Sequence, residues 1–147
     1  MSNQTEMVKA LQRVLANTYA LYLKTHNYHW NIKGADFPQY HKLLEEHYQN
    51  LAQAVDEIAE SIVMLGYKAP GSFSKFLDLQ EILEGDENKE TNAMLAELSH
   101  DHQKLEVIAT EAVEVAEEAK DIVIVDLLTQ RAAAHRKDAW MLKESSN

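Results

Sequence analysis

Residues 29–60 read HWNIKGADFPQYHKLLEEHYQNLAQAVDEIAE, a stretch that contains the end of one helical pattern and most of the next. Gly34 interrupts the first pattern, because glycine readily adopts the left-handed conformation that follows many helices. Asp36 is a favourable N-cap, and a proline two residues later suits the first helical turn, so the second helix should run from Phe37 to about Leu65. Such a helix is roughly 40 Å long at 1.5 Å per residue.

Apolar residues recur at helical spacing in three further segments of the chain. The first begins at Thr5, a candidate N-cap, and continues to His29, and the other two cover about 88–119 and 121–143. The connection over residues 66–88 has room for one short helix, and its length permits a crossover within a bundle. We therefore predict one all-α domain over residues 1–147, a ferritin-like four-helix bundle with a short helix in this connection.

The composition narrows the chemistry available to the chain. Its 147 residues carry a formal net charge of −10, contain no cysteine, and include only four Gly and two Pro. The acidic balance disfavours binding to nucleic acid phosphates. Without cysteine, a bound metal would need imidazole and carboxylate ligands. No secretory signal pattern is evident, and no apolar run approaches the roughly 20 residues of a membrane span, so we expect a soluble, cytoplasmic protein without membrane contacts.

Four residues of metal-ligand types on the second helix share one face of it. At 100° per residue, His41, Glu45, Asp56 and Glu60 fall within one arc, more than a third of a turn from the apolar arc. These four side chains should therefore point out of their own bundle. The predicted core arc comprises Leu44, His47, Leu51, Val55, Ile58, Ile62 and Leu65.

The four candidates are too far apart along the helix to meet within one chain. His41 and Glu60 are separated by roughly 28 Å at 1.5 Å per residue. If two copies of the helix pair antiparallel about a two-fold axis, His41 and Glu45 of one chain lie opposite Asp56 and Glu60 of the other, and His29 can join them. Each of the two identical sites then has imidazole and carboxylate ligands that suit iron(II). Small residues at Ala52 and Ala59 would permit close approach.

This set of residues resembles the ferroxidase motif of the Dps family, the miniferritins. The family spacing is His, eleven residues, His, three, Asp, ten, Asp, three, Glu, and the chain keeps every interval. Its one departure is Glu45, where the family usually has Asp, which moves the carboxylate outward by one methylene and bears on the second iron position. The resemblance covers essentially the whole chain and implies a dodecamer, built from two-fold dimers, that oxidises iron(II), preferably with hydrogen peroxide, and stores iron(III) mineral, protecting against oxidative stress.

The resemblance also implies roles for individual residues. Asp56 and Glu60 of one chain would hold the tighter iron together with His29 of the other, and His41 would help to hold the second. Trp30 resembles the family's tryptophan beside the di-iron centre, which intercepts one-electron oxidation. The acidic lining of the three-fold iron entry pores corresponds here to Asp121 and Asp126.

The remaining histidines have simpler interpretations. For His26, a secondary metal ligand is the alternative, and we expect a surface or supporting histidine. We expect His47 to be a buried or interface histidine whose polar atoms are satisfied by hydrogen bonds. We expect a polar face of the third long helix at Glu97, His100 and His102. A di-iron site inside a bundle requires two Glu-x-x-His pairs, and the chain offers only one.

Two other functions compete with iron oxidation. Many Dps proteins compact DNA in starved cells and are associated with the nucleoid, usually through a tail rich in Lys or Arg. Here no Lys or Arg precedes Lys9, and residues 143–147 carry no net charge. Direct DNA binding is therefore expected to be weak or absent. A third possibility, interaction with host cells, is neither supported nor excluded by the sequence.

Overall fold

A computed structural model of the chain describes residues 2–146, which form five α-helices and no strand. Helices α1, α2, α4 and α5 build a four-helix bundle, in which α1 pairs with α2 and α4 pairs with α5, and α3 lies in the long connection against α1. The predicted all-α bundle and its short connecting helix are confirmed. No helix within 2–146 is long and apolar enough to cross a membrane. The helices span Asn3–Asn31 (α1), Phe37–Met64 (α2), Phe73–Leu79 (α3), Thr91–Glu118 (α4) and Ile122–Ser145 (α5).

The ends of α1 differ from the sequence prediction. Ser2, not Thr5, is the N-cap, and its hydroxyl accepts a hydrogen bond from the backbone N–H of Thr5. At the other end, Ile32 terminates the helix in an extended conformation. Gly34 has φ +120° and forms the turn into α2 instead of capping α1. The prediction for Gly34 was thus correct about the left-handed region and wrong about its place.

Two helices end in the same hydrogen-bonded motif with different residues in the left-handed position. After α2, Gly66 has φ +91°, and its N–H and that of the next residue bond back to Val63 and Ile62. After α4, Lys120 adopts φ +58° in the same role, although a non-glycine residue is disfavoured there. Asp121 then caps α5, so α4 and α5 form a tight helical hairpin.

The core lies along the predicted apolar face of α2. Leu44, His47, Leu51, Ile58 and Ile62 are buried, whereas the predicted Val55 and Leu65 are half-buried at its edge. The opposite helices contribute mainly leucine and methionine. The large side chains completely enclosed by the bundle include Leu11, Leu15, Leu21, Tyr28, Met94 and Leu95.

Candidate metal centre

His29 near the end of α1 and His41 in the first turns of α2 stack on each other, with ring centroids 3.7 Å apart and an interplanar angle of 16°. His29 Nδ1 lies 2.7 Å from the carbonyl oxygen of His41, and His41 Nδ1 lies 2.8 Å from the carbonyl oxygen of His29. Because a carbonyl can only accept, both Nδ1 atoms carry the proton. In the neutral imidazoles, both Nε2 atoms therefore keep a free lone pair for a metal ion.

The turn between α1 and α2 holds this pair in place. Ile32 is buried, and Thr91 at the start of α4 fixes the next residue of the turn. The Thr91 hydroxyl accepts from the backbone N–H of Lys33 at 3.0 Å and donates to its carbonyl at 2.7 Å. Phe37 stacks on the outer side of His41 at 4.7 Å. The two imidazoles are thus oriented by backbone and packing before any metal arrives.

Glu45 completes a group of three ligands within one chain. It lies one turn after His41, and one ligand atom from each of His29, His41 and Glu45 can be chosen so that all lie within 4.8 Å of one another. His29 is buried, while the other two are half-buried at the surface. Two imidazoles and a carboxylate form a donor set suited to iron, zinc or manganese.

Asp56 and Glu60 stand apart from this group. Both are exposed on α2, and neither side chain makes a hydrogen bond or ion pair with another residue of 2–146. Glu45 and Asp56 are eleven residues apart, which is roughly 16 Å along a helix. The structure therefore brings three of the five predicted ligands together and leaves the other two as a separate acidic pair on the same helix.

Aromatic side chains connect Trp30 to the histidine pair. Trp30, which is 61% exposed, stacks on His26 with centroids 4.6 Å apart, and His26 contacts Tyr48 at 4.0 Å. Tyr48 in turn meets His29 edge to face at 5.0 Å. Burial, followed by the proximity of His29, lowers the pKa of His26. Tyr48 was not predicted as part of the site, although its position three residues after Glu45 places it beside the ligand face of α2.

Asp121 and Asp126 lie at the opposite end of the bundle from His29. Asp121 Oδ1 accepts hydrogen bonds from the backbone N–H groups of Val123 and Ile124, at 3.2 and 3.1 Å. Asp126 is exposed and accepts from the Gln130 amide at 2.9 Å. Asn3 at the start of α1 donates a hydrogen bond to the Glu118 carbonyl at the end of α4. The start of α1 and the start of α5 therefore lie at the same end of the bundle, whereas His29 lies near the other end of α1.

One prediction for α4 was wrong. His102 is fully enclosed instead of lying on a polar face, because it is four residues after Leu98 and three before Leu105 and so continues their buried stripe. Glu97 is partly enclosed as well, since its carboxylate accepts hydrogen bonds from Tyr28 and Lys89 and pairs with buried Lys24.

Burial disfavours the charged form of the three core histidines, His47, His102 and His135. Burial lowers the pKa of His47 to about 4, although nearby Glu46 raises it slightly. Burial also takes the pKa values of His102 and His135 well below their usual range. Arg131 acts in the same direction on both pKa values, and neighbouring His135 and His47 do so on that of His102. The prediction that His47 is buried is confirmed, whereas the prediction that its polar atoms are satisfied is wrong for Nδ1, which has no hydrogen-bond partner among residues 2–146.

Known proteins resemble this chain in both sequence and fold. A family model described as a ferritin-like domain matches residues 8–146. The chain is 34% identical over 139 residues to the DNA protection during starvation protein of Helicobacter pylori, with 94% of each chain covered. The crystal structure of Dps from Staphylococcus aureus superposes with a TM-score of 0.95 at 33% identity, covering 100% of this chain and 99% of that one. A Vibrio cholerae Dps protein, described as a member of the ferritin-like diiron-carboxylate superfamily, gives a TM-score of 0.93 at 29% identity and covers 99% and 91%.

Proposed function

This chain belongs to the Dps family of ferritin-like proteins, and on that premise we propose that it is a ferroxidase and iron-storage protein whose di-iron centre is shared between two subunits. The observation that carries the proposal is the division of the ligands. His29, His41 and Glu45 form one half of a centre, and Asp56 and Glu60 form the other half roughly 16 Å further along α2. Neither half alone offers enough donors for two iron ions.

Antiparallel pairing of two α2 helices would complete the centre. His41 and Glu45 of each chain would then lie opposite Asp56 and Glu60 of the other, with the half-buried Ala52 permitting close approach. Each centre would combine two neutral imidazoles with three carboxylates. Their charge of −3 nearly balances the +4 of two iron(II) ions. The bound ions would also relieve the repulsion between acidic groups one turn apart.

The ligands divide between the two iron positions. Asp56 and Glu60 of one chain, with His29 of the other, hold the tighter iron, while His41 and Glu45 hold the second. The two Nδ1–H bonds to backbone carbonyls orient the imidazoles and raise their basicity, as supporting hydrogen bonds do at other metal sites. The Glu45 carboxylate reaches one methylene further than an aspartate would, so it can follow the second iron as that ion changes charge.

Two iron ions at one centre match the electron demand of hydrogen peroxide. Each iron(II) gives up one electron, and the pair cleaves the oxygen–oxygen bond of one peroxide to the level of water. With two further waters, the products are two units of iron(III) oxyhydroxide and four protons. No hydroxyl radical is formed when both electrons arrive together. When only one electron is transferred, Trp30 is placed to supply another through His26 and Tyr48.

The same proposal includes assembly and storage. Two-fold dimers join into a dodecameric shell in the cytoplasm, and the iron(III) product is deposited inside it as mineral, which protects the cell against oxidative stress. Asp121, half-buried at the start of α5, and Asp126, exposed one turn later, line the entry pores, where their negative charge attracts iron(II). Direct binding to DNA is weak or absent, because the net charge of −10 opposes contact with phosphates.

A subunit-mixing experiment tests the shared centre. One variant, His29→Asn with His41→Asn, keeps a side-chain donor for the backbone carbonyls and removes both Nε2 ligands. The second, Asp56→Asn with Glu60→Gln, removes the acidic pair. Each assembly alone should lose fast peroxide-dependent iron(II) oxidation, measured by stopped-flow absorbance. Assemblies formed from an equal mixture should recover about a quarter of the wild-type rate per chain, because half of randomly paired dimers are mixed and each has one intact centre.

The control for lost charge is Glu46→Gln, an exposed carboxylate on α2 beside the ligand face, which should keep the wild-type rate. Native mass measurement establishes that the mixed assemblies contain both variants. A mixture that co-assembles and still lacks activity would overturn the shared centre, and so would full activity of either variant alone.

A further inference from the structure

A second group of metal-ligand residues lies inside the bundle where α2, α4 and α5 meet. It consists of His47, His102, His135 and Asp138, called here the core cluster. The three histidines are at most 5% exposed, and the Asp138 side chain is 14% exposed. None of these residues belongs to the proposed ferroxidase centre, and the function proposed above uses none of them.

Three members of the core cluster already have the spacing of a metal-binding set. His47 Nε2 lies 3.4 Å from Asp138 Oδ1. Ligand atoms of these two residues and of His102 can be chosen that all lie within 4.8 Å of one another. Around a tetrahedral ion with bonds of about 2.0–2.1 Å, ligand atoms are roughly 3.4 Å apart. The first pair matches this separation, and a shift of about 1 Å by the third would close the set.

The free protein leaves polar atoms of the core cluster unsatisfied. His102 Nε2 and His47 Nδ1 are enclosed and have no hydrogen-bond partner among residues 2–146. An enclosed polar group without a partner costs about 1–3 kcal/mol, so the fold tolerates a loss that an ion at His102 Nε2 would remove. The other nitrogen of His102 is engaged, since its Nδ1 lies 3.0 Å from His135 Nδ1.

Arg131 sets the proton positions in the free protein. Its Nη2 lies 3.4 Å from His135 Nε2, so the guanidinium donates and His135 carries its proton on Nδ1. That proton is donated to His102 Nδ1, and the His102 proton must then be on the unpartnered Nε2. Metal binding at His102 Nε2 requires the reverse, with His102 Nδ1–H donating to His135. The bound and free states therefore differ in the direction of one hydrogen bond.

Arg131 has an alternative place when that bond reverses. Its Nη1 donates to Asn50 Oδ1 at 3.0 Å, and it borders a surface cavity of about 270 Å³ that is also lined by Glu57 and Gln130. In the bound state the guanidinium would leave His135 and turn toward the Glu57 carboxylate. This movement would take a positive charge away from an entering cation.

We propose that His47, His102 and Asp138 form a binding site within each subunit for one divalent transition ion of the zinc and iron class, with His135 as a positioning residue. Imidazole and carboxylate donors are the ligands such ions take. The ion would tie α2 to α4 and α5. It would add to the few direct links between α2 and α5, which already include the Arg131 bond to Asn50 and the His47 pair with Asp138.

The test uses a full-length background variant that lacks the proposed ferroxidase ligands, His29→Asn, His41→Asn, Glu45→Gln, Asp56→Asn and Glu60→Gln. Metal-free protein is incubated with Co²⁺ until its absorbance is constant, and bound metal is counted by equilibrium dialysis. We expect one Co²⁺ per chain with the intense visible bands of four-coordinate cobalt, and Zn²⁺ should displace it. Failure of the ferroxidase proposal would not affect this result, because its ligands are already absent.

Variants added to this background assign the ligands. Asp138→Asn and His102→Gln should abolish the cobalt bands, and His135→Gln should weaken binding by about 10- to 100-fold, as loss of a supporting hydrogen bond does at other metal sites. The exposed Glu144→Gln on α5 is the matched control and should bind normally. If His102→Gln does not fold, Asp138→Asn alone decides.

A nuclear magnetic resonance measurement provides the second readout. In ¹⁵N-histidine spectra, zinc should shift the His102 proton from Nε2 to Nδ1. Absence of Co²⁺ binding in the background variant, or unchanged binding in the Asp138→Asn variant, would overturn the site.

Discussion

Asn17 on α1 ties the long connection between α2 and α4 to the bundle, and Asn17→Ala should lower the free energy of unfolding by about 3 kcal/mol. Its Oδ1 accepts from the backbone N–H groups of Glu81 and Ile82 at 2.6 and 3.0 Å, and its Nδ2 donates to the Arg13 carbonyl at 2.9 Å. Asn17 is fully buried, and Ile82 is 1% exposed. Alanine leaves the two backbone donors without an acceptor, and each enclosed orphan costs about 1–3 kcal/mol.

The assay is urea unfolding at one fixed protein concentration, because the apparent stability of an assembled protein depends on concentration. The unfolding midpoint should fall with the slope unchanged, and the amides of Glu81 and Ile82 should lose hydrogen-exchange protection. Asn92→Ala, an exposed asparagine in the first turn of α4, should change stability by less than about 0.5 kcal/mol. A loss below about 1 kcal/mol in the Asn17 variant, with both amides still protected, would refute the reasoning.

Two further predictions concern charge. Burial raises the pKa of Glu97, but hydrogen bonds from Lys24, Lys89 and Tyr28 outweigh it and lower that pKa from 4.5 to about 2. The resulting stabilisation, roughly 2 kcal/mol after allowance for solvent at a partly exposed side chain, is present above about pH 5 and disappears as pH falls through the folded pKa. Glu97→Gln should therefore lower Tm at pH 7 and barely at pH 2, and an equal drop at both would contradict this. Metal-free wild-type protein should leave duplex DNA unretarded in a gel shift at about 0.1 M salt, where phosphate contacts would still be measurable, and a retarded band would show DNA binding.

The sequence was most informative where one pattern served both packing and chemistry. On α2 the apolar arc and the acidic and imidazole arc alternate at helical period, so the wheel correctly predicts most of the buried positions, with Val55 and Leu65 only half-buried. The rise per residue separates the acidic pair from His41 along the helix by a length that no side chain spans. The prediction that the five ligands do not meet within one chain therefore needed only the helical rise.

The errors arose where tertiary contacts or backbone geometry decide. The prediction that His102 lies on a polar face rested on its polar neighbours, although its spacing from two leucines places it in the core. Lys120 adopts a left-handed conformation that its residue type does not suggest, because a three-residue link between two packed helices leaves few alternatives. The reciprocal bonds of His29 and His41 depend on how α1 and α2 cross, which periodicity within a single helix does not specify.

The two histidine groups show how burial and hydrogen bonding decide what an imidazole is available to do. In the stacked pair of His29 and His41, both Nδ1 protons are donated to backbone carbonyls, so both Nε2 atoms keep a lone pair for a metal ion. In the core, His102 Nδ1 is hydrogen-bonded to His135, and His102 Nε2 is enclosed and has no partner among residues 2–146. An enclosed donor without a partner works against folding, and so does an exposed pair of like charges one turn apart on α2. Under the two proposals a cation would relieve both, in the first case within one subunit and in the second only between two.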